Sequence, residues 1–336
     1  MNAEKKMKLV LAPMAGVTNR AYRRLIKEIN STAVDHIFTE MINATGVSRL
    51  DNGTLNLLPS KEEVCIVQIY GNNSLDFAKA AEYILSNYEN VSGIDINAAC
   101  PVKKVVRNGS GSALLHDLKK LEQIIIELKK VLSGSVKSLS VKIRKGWEGY
   151  ENYHEVIEMC DNLGVDFVSI HGRTVEQMYN GCADFSILDS ISSNHCEIFW
   201  TGDMFDLESV KRICNFRNTI SGILFARGTY GNPWIINQAN DFLNGQIIQK
   251  IRLEEKIKTI SRHVELLLDD YSSVKVTGQL KRFVAGYTKG IRDARQQRNA
   301  ILRMDDLDGM VDLLITTISA DYEDDEDILV TSKINW

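Results

Sequence analysis

The stretch LSVKIRK, residues 139–145, has the pattern of a short β-strand in which apolar and basic side chains alternate. Because successive side chains of a strand point to opposite faces, Val141 and Ile143 would face one side while Lys142 and Arg144 face the other. Cations are costly to bury unless they meet a partner or a ligand. The stretch therefore predicts a strand that packs against helices on one side and contributes polar groups to an interior on the other.

Seven further β-branched and apolar stretches recur along the chain, with helical segments between them. They are KLVLAP (8–13), DHIFTE (35–40), VCIVQIY (64–70), SGIDINA (92–98), VDFVSIHG (165–172), EIFWTGD (197–203) and GILFARG (222–228). Eight strand–helix units over about 240 residues are typical of a TIM barrel, an α/β fold with eight parallel strands. A doubly wound sheet is less favoured, because APMAGVTNR follows the first strand where a glycine-rich dinucleotide motif would stand.

From about residue 245 onward the apolar spacing is helical, without strands. We therefore predict a TIM-barrel domain over residues 1–244 and an all-helical domain over residues 245–336. Ten acidic residues and one basic residue make residues 305–336 an acidic tail, whereas residues 1–304 hold 39 basic and 34 acidic residues. Basic residues recur every three positions at Lys289, Arg292, Arg295 and Arg298. On one helix they would form a continuous cationic surface, either a solvated face or a site for nucleic acid. Gly286 and Gly290 are candidate helix breaks that would redirect this surface.

The overall composition, 44% hydrophobic and 25% charged, is that of an ordinary globular protein. No apolar run reaches the roughly 18 residues of a membrane span, and the start MNAEKKMKLVLAPMAG lacks the apolar core of a signal peptide. The six cysteines form no CxxC pair and do not cluster with histidine, which indicates neither a disulfide framework nor a metal site. We expect a cytoplasmic monomer without a membrane partner.

Polar residues recur on the interior side of four predicted strands, near their carboxyl ends. The alternation that places Lys142 and Arg144 inside also places the following residues inside: Gln68, Asp95, Asn97, Ser169, His171 and Arg173. Singly, each has a structural explanation, such as an ion pair between Lys142 and Asp95. Together they are better explained by a polar ligand at the strand ends, where TIM-barrel active sites lie.

The last two predicted strands indicate the kind of ligand. Gly202 and Asp203 end the seventh strand, and Ala226 and Arg227 follow the eighth in ARGTYGNPW (226–234). The loops after these strands form the usual phosphate site of a TIM barrel. A phosphate there, a cation and an amide suit a flat heterocycle with a phosphate tail, and FMN fits best among common cofactors. A phosphosugar remains open on this pattern alone.

Eight motifs occur here in the order found in one known family: LAPMAGVTNRAYR, VQIYG, DINAACP, GSGSALL, VKIRKGW, SIHGRT, TGD and ARGTYGNPW. On these motifs, from about residue 8 to 304, the chain resembles the tRNA-dihydrouridine synthases, in particular the bacterial B-type subfamily. The resemblance implies an FMN-dependent oxidoreductase that reduces the C5–C6 double bond of particular uridines in tRNA. A hydride would reach C6, a proton would reach C5, and NADPH would restore the reduced flavin.

The resemblance also assigns roles to individual residues. The flavin would contact Pro13, Met14, Ala15, Gln68, Lys142 and His171, with its phosphate end at Gly202, Asp203, Ala226 and Arg227. Cys100 would be the proton donor, since a thiol with an ordinary pKa of about 8.5 is mostly protonated at neutral pH. The RNA would contact Asn97, Arg144, Arg173, the loop cations Lys103, Lys104 and Arg107, and the C-terminal Arg292, Arg295 and Arg298.

Other functions fit parts of the pattern. A flavin enzyme acting on a free pyrimidine, as dihydroorotate dehydrogenases do, would use Cys100 as a base but would not need the basic helices. A phosphosugar aldolase would use Lys142 as a Schiff-base amine, and an RNA-binding factor would keep the fold without the redox reaction. Within the favoured function, a ribosomal RNA uridine as substrate and NADH as reductant stay open.

Overall fold

The computed structural model describes residues 6–292 and 294–322. Within them the strands are β1 (Lys8–Leu11), β2 (His36–Ile37), β3 (Ile42–Asn43), β4 (Cys65–Tyr70), β5 (Val91–Ala98), β6 (Ser138–Gly146), β7 (Phe167–Thr174), β8 (Glu197–Thr201) and β9 (Gly222–Phe225). They form one parallel sheet in the order β2-β1-β9-β8-β7-β6-β5-β4-β3. A parallel bridge between Phe38 and Ile66 joins the two ends of the sheet. The sheet thus closes into a barrel, and the predicted TIM-barrel fold is confirmed.

All eight predicted strands are present, and β3 is an addition that the sequence pattern did not indicate. This two-residue strand pairs with the end of β4, where Ile42 lies opposite Ile69. The predicted stretch 35–40 forms only β2 and the bridge at Phe38 before the chain turns toward β3. Strand β3 is too short for its own alternation to be visible in the sequence, since that alternation has a period of two residues.

Nine α-helices lie among the barrel strands in the described part of the chain: α1 (Arg20–Ile29), α2 (Ala44–Ser48), α3 (Asn52–Leu55), α4 (Ser74–Asn87), α5 (Lys103–Arg107), α6 (Leu118–Val131), α7 (Tyr153–Asn162), α8 (Leu207–Cys214) and α9 (Ile235–Leu243). Side-chain caps set several starts: Asn19 accepts the N–H of Tyr22, and Asp206 forms a capping box with Ser209. Between β7 and β8 the expected α-helix is replaced by a 3-10 helix, Phe185–Asp189. The segment there, SILDSISSNH, is rich in residues that favour turns over helix interiors.

The barrel interior has an apolar half and a polar half. The apolar half is a cluster of seven buried side chains: Val10, Ala12, Phe38, Ile66, Phe167, Phe199 and Leu224. Further along the strands the inward positions become polar, beginning with Gln68 and Ser140. Val141 and Ile143 lie in the outer core with the helices, as their alternation with Lys142 predicts. The polar half faces the carboxyl ends of the strands.

Five helices follow the barrel: α10 (Leu253–Asp270), α11 (Ser273–Leu280), α12 (Val284–Tyr287), α13 (Ala294–Arg303) and α14 (Leu307–Tyr322). Helix α10 packs against α1. Tyr22 of α1 lies 5.5 Å from His263 and 4.8 Å from Phe283, measured between ring centroids. The Tyr22 hydroxyl donates to the Thr229 carbonyl at 2.8 Å, which ties this cluster to the barrel. The helical character of the C-terminal part agrees with expectation, and the domain boundary at residue 244 stays a prediction.

Lys289 and the three arginines do not share one helix, and the interruption lies at Gly290, one of the two candidate breaks. Helix α12 ends at Tyr287 and α13 begins at Ala294, so Arg292 precedes the helix that carries Arg295 and Arg298. Gly290 has a φ of +83°, a left-handed conformation that glycine adopts readily and that stops a helix. The acidic tail beyond residue 322 lies outside the described residues. In the described ranges, no helix is both long and apolar enough to cross a bilayer.

Candidate active site

A cavity of about 420 Å³ opens at the carboxyl ends of the strands, over the polar half of the barrel interior. Its volume lies in the range of pockets that hold small organic ligands. Thirteen of the predicted site residues line it: Pro13, Met14, Ala15, Gln68, Asn97, Cys100, Lys142, Arg144, His171, Gly202, Asp203, Ala226 and Arg227. They come from seven separate segments of the chain, so the fold alone brings them together.

The other predicted site residues lie away from the cavity wall. Arg173 is buried behind it, with 2% of its surface exposed. Three of the predicted residues are exposed cations of α5, the helix that directly follows the Cys100 loop: Lys103, Lys104 and Arg107. The remaining three belong to the C-terminal segment around α13: Arg292, Arg295 and Arg298. The contacts of all seven residues with RNA stay predictions.

The wall residue Gln68 is held from behind by hydrogen bonds between buried side chains of three strands. Asp95 accepts from Ser140 Oγ at 2.6 Å and from Gln68 Nε2 at 2.7 Å. Gln68 Oε1 accepts from Asn97 Nδ2 at 3.0 Å. Burial raises the pKa of Asp95 to about 6, and the hydrogen bonds from Ser140 and Gln68 oppose the rise. Asp95 is therefore mostly ionised at neutral pH, with both carboxylate oxygens occupied.

Lys142 reaches the cavity as an amine whose Nζ forms no hydrogen bond or ion pair with the described residues. The ion pair with Asp95 that the sequence left open is not formed, and the two carboxylate oxygens accept from Ser140 and Gln68 instead. Burial lowers the pKa of Lys142 to about 8; Arg144 adds to the lowering and Asp95 opposes it. A cation held in a cavity without a counter-ion suits an anionic or strongly electron-rich ligand atom.

His171 faces the cavity as a neutral imidazole. Burial, together with nearby cations, holds its pKa well below the ordinary value. Arg173 Nη1 lies 3.3 Å from His171 Nε2. Because a guanidinium can only donate, Nε2 accepts and Nδ1 carries the ring proton. The imidazole therefore has one N–H donor that is not used by Arg173.

The turn after β8 carries Gly202 and Asp203, which the sequence analysis assigned to the phosphate end. Asp203 accepts from Arg173 Nη2 at 2.8 Å, and Arg227 Nη2 lies 3.5 Å from the same carboxylate. Gly202 has a φ of +119°, and a Cβ there would lie 2.9 Å from Cδ2 of His171. The turn conformation and the crowding both favour glycine. Asp203 thus positions two arginines at this end of the cavity.

The guanidinium of Arg227 is held over aromatic rings at the cavity rim. Its Cζ lies 4.8 Å from the centroid of the Tyr179 ring and 5.2 Å from that of Phe205. Such cation–π contacts keep the charge while limiting the motion of the side chain. The guanidinium is therefore held at the cavity rim, where its paired donors can bind an anionic group.

The loop after β5 presents Cys100 at the cavity wall. Asn97 Oδ1 accepts the N–H of Ala99 at 3.0 Å and that of Cys100 at 2.9 Å. The Cys100 carbonyl accepts the N–H of Ser112 at 3.1 Å. Burial raises the pKa of the Cys100 thiol, and a backbone N–H and nearby cations oppose the rise in part. The thiol is mostly protonated at neutral pH, which is the form that can act as an acid.

Arg144 joins the Cys100 loop to the loop after β7. Its Nε donates to the Ala99 carbonyl at 3.0 Å, and its Nη1 donates to the carbonyls of Thr174 at 2.9 Å and Met178 at 2.8 Å. Three bonds from one buried guanidinium hold both loops at fixed positions beside the cavity. The direct substrate contact expected of Arg144 stays a prediction, beside this structural role.

Part of the cavity wall consists of residues that the sequence patterns did not predict, namely Met41, Met178, Tyr179, Phe205 and Tyr230. Most of them lie in loops, where strand alternation gives no information about direction. Met178 even has a φ of +49°, which no sequence pattern there indicated. A usable signal was the position of the two aromatic residues: Tyr179 follows the sixth predicted strand (165–172) and Phe205 follows the seventh (197–203), close to the expected phosphate site.

The cavity favours an organic anion over a metal ion. Its wall carries Lys142, Arg144 and Arg227 against one carboxylate, that of Asp203. Across residues 6–292 and 294–322, no group of three His, Cys, Asp or Glu side chains is arranged to hold a metal ion. The unpaired ammonium of Lys142, the imidazole donor and the stacked arginine can each meet a phosphate or an electron-rich ring edge.

Comparisons with known proteins agree with this geometry. A family model described as Dihydrouridine synthase (Dus) matches residues 10–321. The chain is 31% identical to "tRNA-dihydrouridine synthase B" of Pasteurella multocida, over 88% of this chain and 89% of that protein. It is 28% identical to "Probable tRNA-dihydrouridine synthase" of Rickettsia conorii, over 91% of each chain. The matched residues include the whole wall of the cavity.

Proposed function

Because this chain belongs to the dihydrouridine synthase family, we propose that it reduces the C5–C6 double bond of particular uridines in tRNA, with FMN as cofactor and NADPH as reductant. The observation that carries the proposal is that Cys100 and Lys142 reach into one cavity at the carboxyl end of a closed barrel. The printed names of the relatives support tRNA as the substrate.

The residues of the cavity fit FMN. Lys142 would offset negative charge on the flavin ring, and Gln68 and His171 would form hydrogen bonds with it. Arg227, held over two aromatic rings, would bind the phosphate. When bound and reduced, FMN supplies the hydride that adds to C6 of uracil. The protein binds the cofactor, orients it and balances its charge.

Cys100 would supply the proton that C5 requires. Its S–H bond breaks as the C5–H bond forms, and the resulting thiolate regains a proton from solvent. The hydrogen bonds from Ala99 and Cys100 to Asn97 hold the loop in place. The positive charges of Lys142 and Arg144 act on the Cys100 thiol and favour its thiolate form, which assists transfer of the proton.

Two basic surfaces would bind the RNA backbone. The cations of α5 follow the Cys100 loop directly and would meet phosphates beside the target uridine. The arginines around α13 would contact phosphates further from it. Phosphate neutralisation supplies much of the affinity of proteins for nucleic acids, so both surfaces would add to tRNA binding.

The experiment that tests the proposal is mass spectrometry of RNA from cells that lack this gene. We expect dihydrouridine to disappear from particular positions of tRNA and to return with the intact gene. Loss of dihydrouridine from ribosomal RNA alone would show that the substrate is ribosomal RNA and not tRNA. Unchanged dihydrouridine in both RNAs, with reduction of a free pyrimidine by the purified protein, would favour the dihydroorotate-type alternative.

Replacing Arg227 by alanine should weaken FMN binding about 10- to 100-fold, the loss expected for one charge-assisted hydrogen bond. Riboflavin lacks the phosphate, so its affinity should change by less than about two-fold. Fluorescence titration of the flavin-free protein measures both. Arg212→Ala is the matched control, because Arg212 also lies over an aromatic ring, Phe185, but outside the cavity wall. Equal losses for FMN and riboflavin would contradict the phosphate assignment.

Replacing Arg292, Arg295 and Arg298 together by glutamate should weaken tRNA binding strongly while FMN content and NADPH oxidation stay near wild type. Each lost phosphate contact should also lower the slope of log K against log salt by about 0.7 to 0.9. Filter binding across a salt series measures both quantities.

The control for this triple variant makes the same charge change elsewhere, at the exposed positions Lys79, Lys119 and Lys61 of the barrel. We expect its tRNA affinity to fall much less, since only the long-range charge effect remains. Equal affinities of the two variants at every salt concentration would remove the C-terminal surface from the RNA site.

A further inference from the structure

We propose that Asp95 is a positioning residue that fixes the amide of Gln68 and the loop of Cys100 through one chain of hydrogen bonds. Asp95 is fully buried and is absent from the cavity wall, so it acts through its neighbours. Only the turnover experiment below rests on the proposed function. The geometry of the loop is independent of which substrate the cavity takes.

The chain of hydrogen bonds runs from the Cys100 loop to Asp95 in one direction. The Cys100 N–H donates to Asn97 Oδ1 at 2.9 Å. Asn97 Nδ2 donates to Gln68 Oε1 at 3.0 Å, and Gln68 Nε2 donates to Asp95 Oδ2 at 2.7 Å. At one end a backbone N–H can only donate, and at the other an ionised carboxylate can only accept. One orientation of the two amides satisfies all three bonds.

Burial makes this orientation matter. Asp95 is 0% exposed and lies behind the cavity wall, so bulk water cannot take its place as the acceptor for Gln68. Without Asp95, the Gln68 amide N–H would lack an acceptor, which is costly in a buried position. The Gln68 amide can avoid this cost by turning over. A turned Gln68 would set its NH₂ against that of Asn97. Asn97 would turn in response and withdraw its oxygen from the backbone of Cys100.

Ser140 provides an internal comparison, because it donates to the other oxygen of Asp95. Removing its hydroxyl takes away one hydrogen bond of the same carboxylate and leaves the path from Asp95 to Cys100 complete. If substitutions here acted only by loosening the packing, removing Asp95 and removing the Ser140 hydroxyl should have similar effects on Cys100. A positioning role transmitted through Gln68 should depend on Asp95 and little on Ser140.

The test measures alkylation of Cys100 by iodoacetamide in the flavin-free protein, followed by peptide mass spectrometry with Cys214 of α8 as the internal reference. Asp95→Leu should accelerate alkylation of Cys100 about 5- to 10-fold, since a released loop exposes the thiol and raises its thiolate fraction. Asp95→Asn retains an acceptor oxygen for Gln68 and should stay within about two-fold of wild type. Ser140→Ala should do the same.

Turnover gives a second readout in the enzyme with FMN and tRNA. Asp95→Leu should lower kcat about 10- to 100-fold with little change in KM for tRNA, because the acid is misplaced while the RNA surfaces are intact. Asp95→Asn should restore most of the rate. If Asp95→Leu does not fold, Asp95→Ser is measured with the same expectations.

A folded Asp95→Leu with wild-type alkylation of Cys100 would overturn the proposal. An equal acceleration in Ser140→Ala would also overturn it, because the effect would then not follow the chain of hydrogen bonds. If the wild-type protein makes no dihydrouridine, the proposed function fails while the alkylation result still decides the role of Asp95.

Discussion

Replacing Cys100 by alanine is expected to lower the rate of dihydrouridine formation about 10²- to 10⁴-fold, the range typical of a positioned general acid. The thiol lies at the cavity wall and is mostly protonated at neutral pH because burial raises its pKa. Its loss removes the proton for C5 and leaves Lys142, Gln68 and Arg227 in place. FMN content and NADPH oxidation without RNA should therefore stay within about two-fold of wild type.

Single-turnover conversion of unmodified tRNA, measured by mass spectrometry, separates this step from RNA binding. Cys182→Ala is the matched control, since Cys182 is an exposed thiol that does not line the cavity. Its turnover should match wild type. Conversion of tRNA by Cys100→Ala at the wild-type rate would return Cys100 to the role of a packing residue.

Replacing Lys142 by methionine is expected to slow reduction of the bound flavin by about 10²-fold, a loss typical for one preorganised electrostatic group in a shielded site. Methionine keeps the apolar stem and removes the ammonium, whose Nζ has no partner among the described residues. Reduction places additional electrons on the flavin ring, so the missing charge should matter more to reduction than to binding of the oxidised form. Stopped-flow absorbance under NADPH measures this rate.

The matched control is Lys145→Met on the same strand. Lys145 pairs with Glu151 at 2.8 Å and with Asp184 at 3.2 Å, outside the cavity wall. Its variant should reduce flavin at the wild-type rate, although it loses two ion pairs. If Lys142→Met reduces flavin at the wild-type rate and binds FMN with wild-type affinity, Lys142 does not belong to the flavin site. A colourless protein trapped by borohydride with a carbonyl substrate would favour the aldolase alternative.

The strand pattern was enough to predict the barrel and most of its inner wall. Alternation in LSVKIRK placed Lys142 inside and Val141 outside, and both positions are confirmed. This works because the two faces of a strand depend only on neighbouring residues. Roles beyond position, such as the proton donor at Cys100, came from the family motifs and remain predictions.

The sequence could not indicate features that depend on where loops meet. Arg144 and Arg173 both follow the inward pattern, yet Arg144 joins two loops through backbone carbonyls and Arg173 supports Asp203 from behind the cavity. The basic segment near α13 is a related case. Its spacing predicted a cationic helix surface and its glycines two possible breaks, and only the structure decides that a left-handed turn at Gly290 interrupts it.

The sequence by itself determined the eight strands, the inward direction of their polar side chains and the family, because these follow from local periodicity and short motifs. Only the tertiary structure decided the partners of those side chains. Asp95 could have paired with Lys142, but its oxygens accept from Ser140 and Gln68, and the Lys142 ammonium has no hydrogen-bond partner among the described residues. Which buried groups pair depends on distances between strands far apart in sequence, and chain closure into a barrel sets those distances.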